Sequence, residues 1–329
     1  MEIKPLGVQD PATIEQVVGL VNAANAVDNP WFHDETALNL RNQVIRGWDG
    51  DPDDYFVGVE GDQVVALLTY FAPSWDNPEL AWLGVKVHPQ HRRRGLGPEA
   101  LEFLLAKAAQ SGRTKLGADT WDGNAGIDFL ERRGFFKASQ AVNRRQHLAD
   151  VVIAEVRKQY DAAAEDAEAY ELVRVVGPTP EDLMSAVAEM SAAINDAPLD
   201  DLDIEDEVFP PARVSQYEQA QVANGGRLYR LLARHRESGE LAGHTVVAVE
   251  IARPTIGHQH DTTVVRGHRG HRLGLLLKTS MLLWLADVEP QLETVSTWNA
   301  ESNDHMIGVN ELLGYRWMGR ELQYMRHSA

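Results

Sequence analysis

Apolar and polar positions follow the same order twice along the chain. Each time, an apolar strand pattern leads into a basic, glycine-bearing turn, and an amphipathic helix follows. Arg92 in the first turn and Arg269 in the second hold the same place, 177 residues apart. The pattern therefore predicts two α/β domains of similar design. The two series are a strand at 81–87, a turn at 88–97 and a helix at 100–109, then a strand at 262–265, a turn at 266–274 and a helix at 275–285.

Shorter patterns complete each copy. Alternating apolar residues around Gly61-Asp62 and around Ser238-Gly239 predict two hairpins. An Ala-, Glu- and Lys-rich stretch at 150–170 predicts a surface helix that connects the copies. The remaining predicted strands are 3–6, 55–60, 63–70, 115–120, 136–138, 143–148, 170–176, 228–234, 241–252, 293–297 and 317–326, and the remaining predicted helices are 13–26, a segment ending near 48, and 180–194.

Composition narrows the class of protein. The 329 residues carry a net charge of −18, which disfavours a nucleic-acid partner because phosphate binding needs a basic face. No stretch is apolar enough to span a membrane, and the N-terminus lacks a signal-peptide pattern, so we expect a cytoplasmic enzyme. Cysteine is absent, which excludes disulfides, thiolate metal sites and a cysteine nucleophile.

The first basic turn has the features of an anion site. Gly95 and Gly97 allow close approach of the backbone, and the following helix directs its positive end at the turn. The pattern Arg92-x-x-Gly95-x-Gly97 resembles the acyl-CoA pyrophosphate loop of the GNAT N-acetyltransferase superfamily. The second turn repeats it with Arg272 in place of the first glycine, which puts one phosphate contact in doubt.

Each turn also has the same sequel, which strengthens the resemblance. A strand, an asparagine and a helix ending in a Gly-aromatic pair follow each time, at Gly134-Phe135 and Gly314-Tyr315. The resemblance covers nearly the whole chain and implies an α/β (α+β) fold of two tandem GNAT-like domains. Each would hold a mixed central sheet, with a splay between its central strands and helices on both sides. The implied limits are 1–148 for the first domain, 149–168 for a helical linker and 169–329 for the second.

By resemblance, acetyl-CoA is the cofactor. Its amide arm would bond to strand backbone in the splay, and its pyrophosphate would lie on the turn. The residues implied are Val85, Val87, Arg92, Arg93, Arg94, Gly95, Leu96, Gly97 and Asn124 in the first copy, and Thr262, Val264, Arg269, Gly270, His271, Arg272, Leu273, Gly274, Asn299 and Asn303 in the second.

The catalytic residues are expected in the second copy. His258-x-His260 resembles the histidine relay of the arylalkylamine N-acetyltransferases, and Glu250 and Asp261 are further base candidates. The alternatives for the histidines are a surface pair or two metal ligands; no third ligand is evident, so we predict no metal. The first copy has Ala81 and Leu83 at the corresponding places. The tyrosine acid common in the family is replaced twice, by Leu130 and by Asn310.

Two loops could contact an acceptor. Trp31, Phe32 and His33 follow the first helix, and they either touch a substrate or simply pack. The acidic run 196–207 holds the corresponding place in the second copy, where it is either solvated or recognises a cationic amine.

The leading interpretation is therefore an N-acetyltransferase that acts on a primary amine of a small molecule. A non-catalytic acyl-CoA sensor and a protein-lysine acetyltransferase are the alternatives. The tandem plan is similar to mycothiol synthase and to antibiotic-modifying acetyltransferases. The sequence does not identify the amine, the acyl chain or the oligomeric state.

Overall fold

The computed structural model describes residues 1–328, which divide into two compact units. Unit 1 comprises Met1–Ala141, Leu199–Asp206 and the chain from Gly319 onward. Unit 2 comprises Val142–Pro198 and Glu207–Met318. The units differ from the expected domains because each takes in chain from the other half of the sequence.

The described residues form twelve strands and nine α-helices. The strands are β1 (Glu2–Pro5), β2 (Asp54–Glu60), β3 (Gln63–Phe71), β4 (Leu80–Val87), β5 (Lys115–Trp121), β6 (Phe136–His147), β7 (Tyr170–Val176), β8 (Gly226–His235), β9 (Leu241–Glu250), β10 (Ile256–Val264), β11 (Thr294–Ala300) and β12 (Arg316–His327). The helices are α1 (Pro11–Asp28), α2 (Ala37–Arg46), α3 (Leu96–Gln110), α4 (Gly126–Glu131), α5 (Ile153–Asp166), α6 (Glu181–Ser191), α7 (Pro211–Ala223), α8 (Leu273–Val288) and α9 (Asp304–Leu312).

The sheet of unit 1 has the strand order β1-β2-β3-β4-β5-β12. The central pair β4–β5 is parallel, and the other four pairs are antiparallel. The last strand of the chain completes this sheet, since residues 321–327 of β12 pair with β5. The first copy was expected to close with its own strand instead.

The sheet of unit 2 has the order β6-β11-β10-β9-β8-β7. Here β10 and β11 are the parallel pair, and β7 to β10 run antiparallel to their neighbours. Only residues from Val142 of β6 belong to this unit. Its sixth strand therefore comes from the first half of the sequence. The apolar pattern of a strand does not specify its partner, so the sequence could not show this exchange.

Each sheet is covered on both faces. In unit 1, α1 packs through Ile14 and Val17 on one face, and α3 packs through Leu101 and Leu104 on the other. In unit 2, α6 and α7 cover one face, and α8 covers the other with α5 against it. The predicted connector helix is thus an integral part of unit 2, because Ala163 lies in its core. None of the helices within residues 1–328 is long and apolar enough to cross a bilayer.

Most of the acidic run does not line unit 2 as expected. Residues 199–206 belong to unit 1, where Leu202 and Ile204 pack beside Met325 of β12. Asp203 forms an ion pair with Lys115 at 2.9 Å, and Asp200 accepts a hydrogen bond from Ser139. These contacts hold the segment in place, so they favour a structural role for these carboxylates over recognition of a cation.

Candidate functional site

The two parallel central strands separate after three residues in each unit. In unit 1, β4 and β5 pair only where 80–82 faces 115–117. In unit 2, β10 and β11 pair only where 256–258 faces 294–296. Beyond these points each sheet has a gap that opens toward the carboxyl ends of both strands. The splay implied by the resemblance is present in both units.

Backbone hydrogen-bonding groups point into both gaps. The N–H of His88 donates to the carbonyl of Val65 on β3, at 3.0 Å. Because successive residues of a strand face opposite neighbours, Val85 and Val87 present their backbone groups to the gap. In unit 2, Val265 N–H donates to Ala242 on β9, which turns Thr262 and Val264 toward the gap. These four residues are the ones expected to hold the amide arm of the cofactor.

The turns that follow the two gap strands have the same backbone path. In unit 1, Arg93 and Gly95 have left-handed backbone, with φ of 65° and 86°. In unit 2, the equivalent Gly270 and Arg272 have φ of 89° and 53°. Arg272 thus adopts the conformation of the glycine that it replaces. In both units a helix begins at the next residue, with its first N–H groups directed at the turn.

Arg92 and Arg269 stabilise the turns through hydrogen bonds to a carboxylate and to the preceding strand. The guanidinium of Arg92 donates to both carboxylate oxygens of Asp28, at 2.9 and 2.5 Å, and its Nε donates to Val87. Arg269 repeats this arrangement, with Nη2 on Asp196 at 2.6 Å and Nε on Val264. Both arginines therefore hold the turn backbone in position. Charge-assisted bonds of this kind are the stronger ones in proteins.

The other predicted turn residues differ in what they offer. Arg93, Arg94 and His271 are at the surface, and Arg94 forms an ion pair with Glu60 at 2.9 Å. Leu96 and Leu273 have buried side chains, so only their backbone can face a ligand. A Cβ added at Gly274 would meet open space, which leaves room at the start of α8.

The predicted asparagines shape the ends of the second gap strand. Asn124 and Asn303 hold equivalent places, and the side-chain oxygen of each accepts a backbone N–H at the start of the next helix. Asn299 instead accepts a hydrogen bond from Asn310, at 2.8 Å. Asn310 and Leu130 are buried, and neither side chain has an ionisable proton, so neither can serve as the expected acid.

His258 in unit 2 is oriented by a carboxylate. Its Nε2 lies 2.9 Å from Glu250 Oε1, and Arg253 donates two further hydrogen bonds to Glu250. Burial alone would raise the pKa of Glu250, but the hydrogen bonds from His258 and Arg253 lower it overall. Glu250 therefore stays ionised and acts as the partner of His258. It is a poor proton acceptor itself.

A β-bulge places His260 and Asp261. Gln259 opposes Val247 and Thr262 opposes Thr245, so the two intervening residues share one position of β9. Strand β4 is regular at this place. His260 Nδ1 lies 2.5 Å from the hydroxyl of Tyr217 on α7. Burial, then the nearby His258, lowers the pKa of His260 to about 3, so its ring is neutral near physiological pH.

The pKa of Asp261 is shifted upward, whereas that of His260 is shifted downward. The surrounding protein raises the pKa of the Asp261 carboxyl, and Arg230 opposes the rise.

The sequence did not predict helix α7, and so it did not find Tyr217. Its signal was present, as a proline pair at 210–211 followed by apolar residues at helical spacing. No group of His, Cys, Asp and Glu within residues 1–328 could hold a metal ion.

The strand register corrects the comparison of the two copies. His258 ends the paired part of β10, and Trp82 ends the paired part of β4. Trp82 is therefore the equivalent of His258, rather than Ala81. Unit 1 also has titratable groups at its gap. Asp119 on β5, Lys86 on β4 and Glu321 on β12 lie there. Sequence analysis missed Asp119 and Glu321, which are 202 positions apart (119 to 321) and have no motif in common.

Comparison with known proteins agrees with this geometry. The sequence model of the Acetyltransferase (GNAT) family matches residues 21–135, which cover both the first gap strand and its turn. No curated protein sequence matches the chain.

Solved structures extend the likeness to the full length. A tandem GNAT protein from the clavulanic acid biosynthesis pathway superimposes with a TM-score of 0.81 at 25% identity, covering 100% of this chain and 98% of that one. A GCN5-related N-acetyltransferase from Sphaerobacter thermophilus superimposes with a TM-score of 0.67 at 14% identity, covering 99% and 95%. N-myristoyltransferase from Saccharomyces cerevisiae, with bound myristoyl-CoA, gives 0.61 at 11%, covering 98% and 82%. Residues 21–135 thus match a GNAT acetyltransferase domain, and the whole chain has the fold of a tandem GNAT protein.

Proposed function

We propose that this protein is an acetyl-CoA-dependent N-acetyltransferase that acts on a primary amine of a small molecule. One observation carries the proposal. In each unit a gap between parallel strands ends at a braced, left-handed turn and a helix N-terminus. When bound, acetyl-CoA supplies an acyl group activated as a thioester. The remaining chemistry is binding, alignment and removal of a proton from the amine.

The residues present fit this cofactor. Backbone groups of Val85 and Val87, and of Thr262 and Val264, face the gaps, where they have no strand partner. The carbonyls of Val87 and Val264 already accept from Arg92 and Arg269, so the cofactor would bind the other backbone groups of these residues. The turn backbone at 93–97 and at 270–274 would hold the pyrophosphate, with help from the helix N-termini. The exposed side chains of Arg93, Arg94 and Arg272 add positive charge at the turns. His271 is exposed beside them.

In unit 2, we assign proton removal to His258. Its ring is held by Glu250, and it lies where β10 leaves β11. His260 is a weaker base because of its low pKa, and its contact with Tyr217 suits it to orient a bound amine. Asp261 lies on the same bulge and would attract a cationic amine. Direct transfer needs no covalent intermediate on the enzyme, and the absence of cysteine is compatible with that.

One observation favours the alternative of a non-catalytic acyl-CoA sensor. The places of the usual tyrosine acid hold Leu130 and Asn310, both buried. A sensor would bind acetyl-CoA but release no CoA when amines are added. An enzyme would release CoA in proportion to the amine consumed. Steady-state CoA release over a panel of primary amines separates the two functions.

A negative charge introduced into either turn should weaken the binding of CoA at one site. Calorimetric titration of the unaltered protein with CoA should give two sites per chain. Arg93→Glu and Gly274→Glu should each lower the affinity of one site by about tenfold or more, because a carboxylate would face the pyrophosphate. Gly97 is less suitable for this test, since a Cβ there would lie 3.3 Å from the Phe129 ring.

Lys158→Glu is the matched control for this titration. It makes the same change of charge as Arg93→Glu on the exposed side of α5, so CoA binding should not change. If both turn variants bound CoA with unchanged stoichiometry and affinity, the assignment of the turns would be wrong.

A further inference from the structure

Unit 1 has a group of charged side chains on one face of its gap. Trp82 lies directly on Gly117, and Asp119 and Trp121 follow on the same face of β5, since alternate residues of a strand share a face. On β12, Glu321 opposes Trp121. Lys86 lies on this face of β4, four residues past Trp82. The group therefore begins where β4 and β5 separate.

The carboxyl groups of Asp119 and Glu321 have few polar partners in the protein. One oxygen of Asp119 accepts a hydrogen bond from Trp82 Nε1, at 2.5 Å. The side chain of Glu321 makes no hydrogen bond or ion pair with any residue of the described chain, although part of its surface is accessible. Lys86 Nζ donates to Asn25 on α1, at 3.1 Å. Lys86 interacts with Glu321, and a cationic ligand between the two carboxyl groups would stabilise both as carboxylates.

Burial makes Glu321 a better proton acceptor than an ordinary glutamate. It raises the pKa of Glu321 well above its usual range, the Asp119 carboxylate raises it further, and Lys86 opposes the rise. A base with a pKa nearer to the working pH takes a proton from an ammonium more readily. Burial also lowers the pKa of Lys86.

An aromatic wall stands beside Glu321. Trp31 lies over Gly319, two residues before Glu321 on β12, where an added Cβ would lie 2.5 Å from the ring. Trp31 and Phe32 meet Trp121 edge-on, with centroids 5.3 and 5.6 Å apart. Phe32 remains 40% exposed, so the wall is open to solvent. Aromatic faces attract cations and bind apolar frames.

We propose that unit 1 carries a second acyl-acceptor site, in which Glu321 deprotonates a primary ammonium whose apolar frame lies against Trp31, Phe32 and Trp121. This rests on the proposed acetyl transfer and extends it to a second centre, with Glu321 supplied by the last strand of the chain. The acceptor class is a monocationic primary amine on an aromatic or aliphatic frame. Asp119 positions the charge, and Lys86 limits the repulsion between the carboxylates.

The proton and electron balance of the step is complete. The ammonium nitrogen gives one proton to the Glu321 carboxylate, and its lone pair forms the new C–N bond. The C–S bond breaks with its electron pair on sulfur. The nitrogen then loses a second proton, through solvent, to the thiolate, and Glu321 releases its proton to solvent. The net products are an amide, a thiol and one proton.

The test is calorimetric titration of the CoA-saturated protein with 2-phenylethylamine. The neutral 2-phenylethanol serves as a matched ligand without charge. We expect the amine to bind and the alcohol to bind at least about tenfold more weakly. Glu321→Gln, which preserves shape, should lower amine affinity by about tenfold or more. Phe32→Ala should also weaken binding, and because Phe32 lies at the surface this change leaves the core of unit 1 intact.

Two controls complete the experiment. Glu2→Gln removes an exposed carboxylate of β1 in the same unit, and His258→Ala alters only unit 2. Both should leave one Glu321-dependent amine site. Failure of the amine to bind the unaltered protein, equal binding of the alcohol, or unchanged binding by Glu321→Gln would each overturn the proposal.

A kinetic measurement separates this proposal from the proposed function. In a background of His258→Ala and His260→Ala, remaining CoA release should rise with pH as Glu321 loses its proton, and Glu321→Gln should abolish that rise. If Glu321 had only a structural role, Glu321→Gln would leave the pH dependence of CoA release unchanged. Glu321-dependent binding without any CoA release would refute acetyl transfer and leave the amine site standing. Normal release with a silent Glu321→Gln would refute only the second centre.

Discussion

His258→Ala combined with His260→Ala is expected to lower the turnover of amines used by unit 2 by ~100-fold or more, because removing a general base typically costs about 10²–10⁴ in rate. The affinity for acetyl-CoA should stay nearly unchanged, since the predicted cofactor contacts are made by Thr262, Val264 and the turn. The loss should therefore appear in kcat rather than in cofactor binding.

Single variants should divide this loss unequally. His258→Gln should account for most of it, because His258 is held by Glu250 at 2.9 Å and lies at the start of the gap. His260 has a pKa of about 3, so it stays unprotonated across the neutral range and gives no pH limb there. A fall in turnover as the pH drops below neutral must therefore come from protonation of a base other than His260.

The measurement is steady-state CoA release with its pH dependence, recorded in the unaltered protein and in Glu321→Gln. The second background removes the contribution that we assign to unit 1. His147→Ala, an exposed histidine at the end of β6, is the matched control and should behave as the unaltered protein. A double variant with unchanged kcat in both backgrounds would contradict the role of the histidines.

Glu218→Ala is expected to have the largest effect on stability. Glu218 and Arg230 are almost fully buried, at 1% and 4% exposure, and form an ion pair at 2.5 Å. Glu218 also accepts hydrogen bonds from the backbone and hydroxyl of Thr179. Removing one partner of a buried pair leaves an uncompensated charge, which costs about 3–5 kcal/mol of unfolding free energy.

Urea unfolding followed by circular dichroism measures this change. Asp128→Ala is the matched control, because it breaks an exposed ion pair with Arg132 that should contribute under about 1 kcal/mol. Replacing Glu218 and Arg230 together by methionine should restore much of the lost stability, since no charge then remains buried. A loss for Glu218→Ala no larger than the control would show that the pair is not a significant element of unit 2.

Local features of the site were predictable from the sequence. The turn at 92–97 and its copy combine glycine, arginine and a following helix within a few residues, so their backbone path follows from neighbouring chain. The same holds for Val85, Val87, Thr262 and Val264, because the parity of a short strand fixes which residues face a neighbour.

The remaining parts depend on contacts between distant residues. The bulge at 260–261 changes the register by one residue, and no local pattern marks it. The strand exchange of β6 and β12 leaves each apolar pattern intact, so it leaves no trace in the periodicity. Glu321 and the segment 199–206 join unit 1 only through that tertiary arrangement. The sequence therefore pointed to one acid–base centre, whereas the structure has titratable groups at both gaps.

Product analysis tests the central claim most directly. The unaltered protein is incubated with acetyl-CoA and a panel of primary amines that includes 2-phenylethylamine, and free CoA and acetylated amine are quantified by mass spectrometry. The account predicts that the two products form in equal amounts with at least one amine, and that Arg93→Glu combined with Gly274→Glu suppresses both. Tight binding of acetyl-CoA without amine-dependent release of CoA across the panel would contradict it.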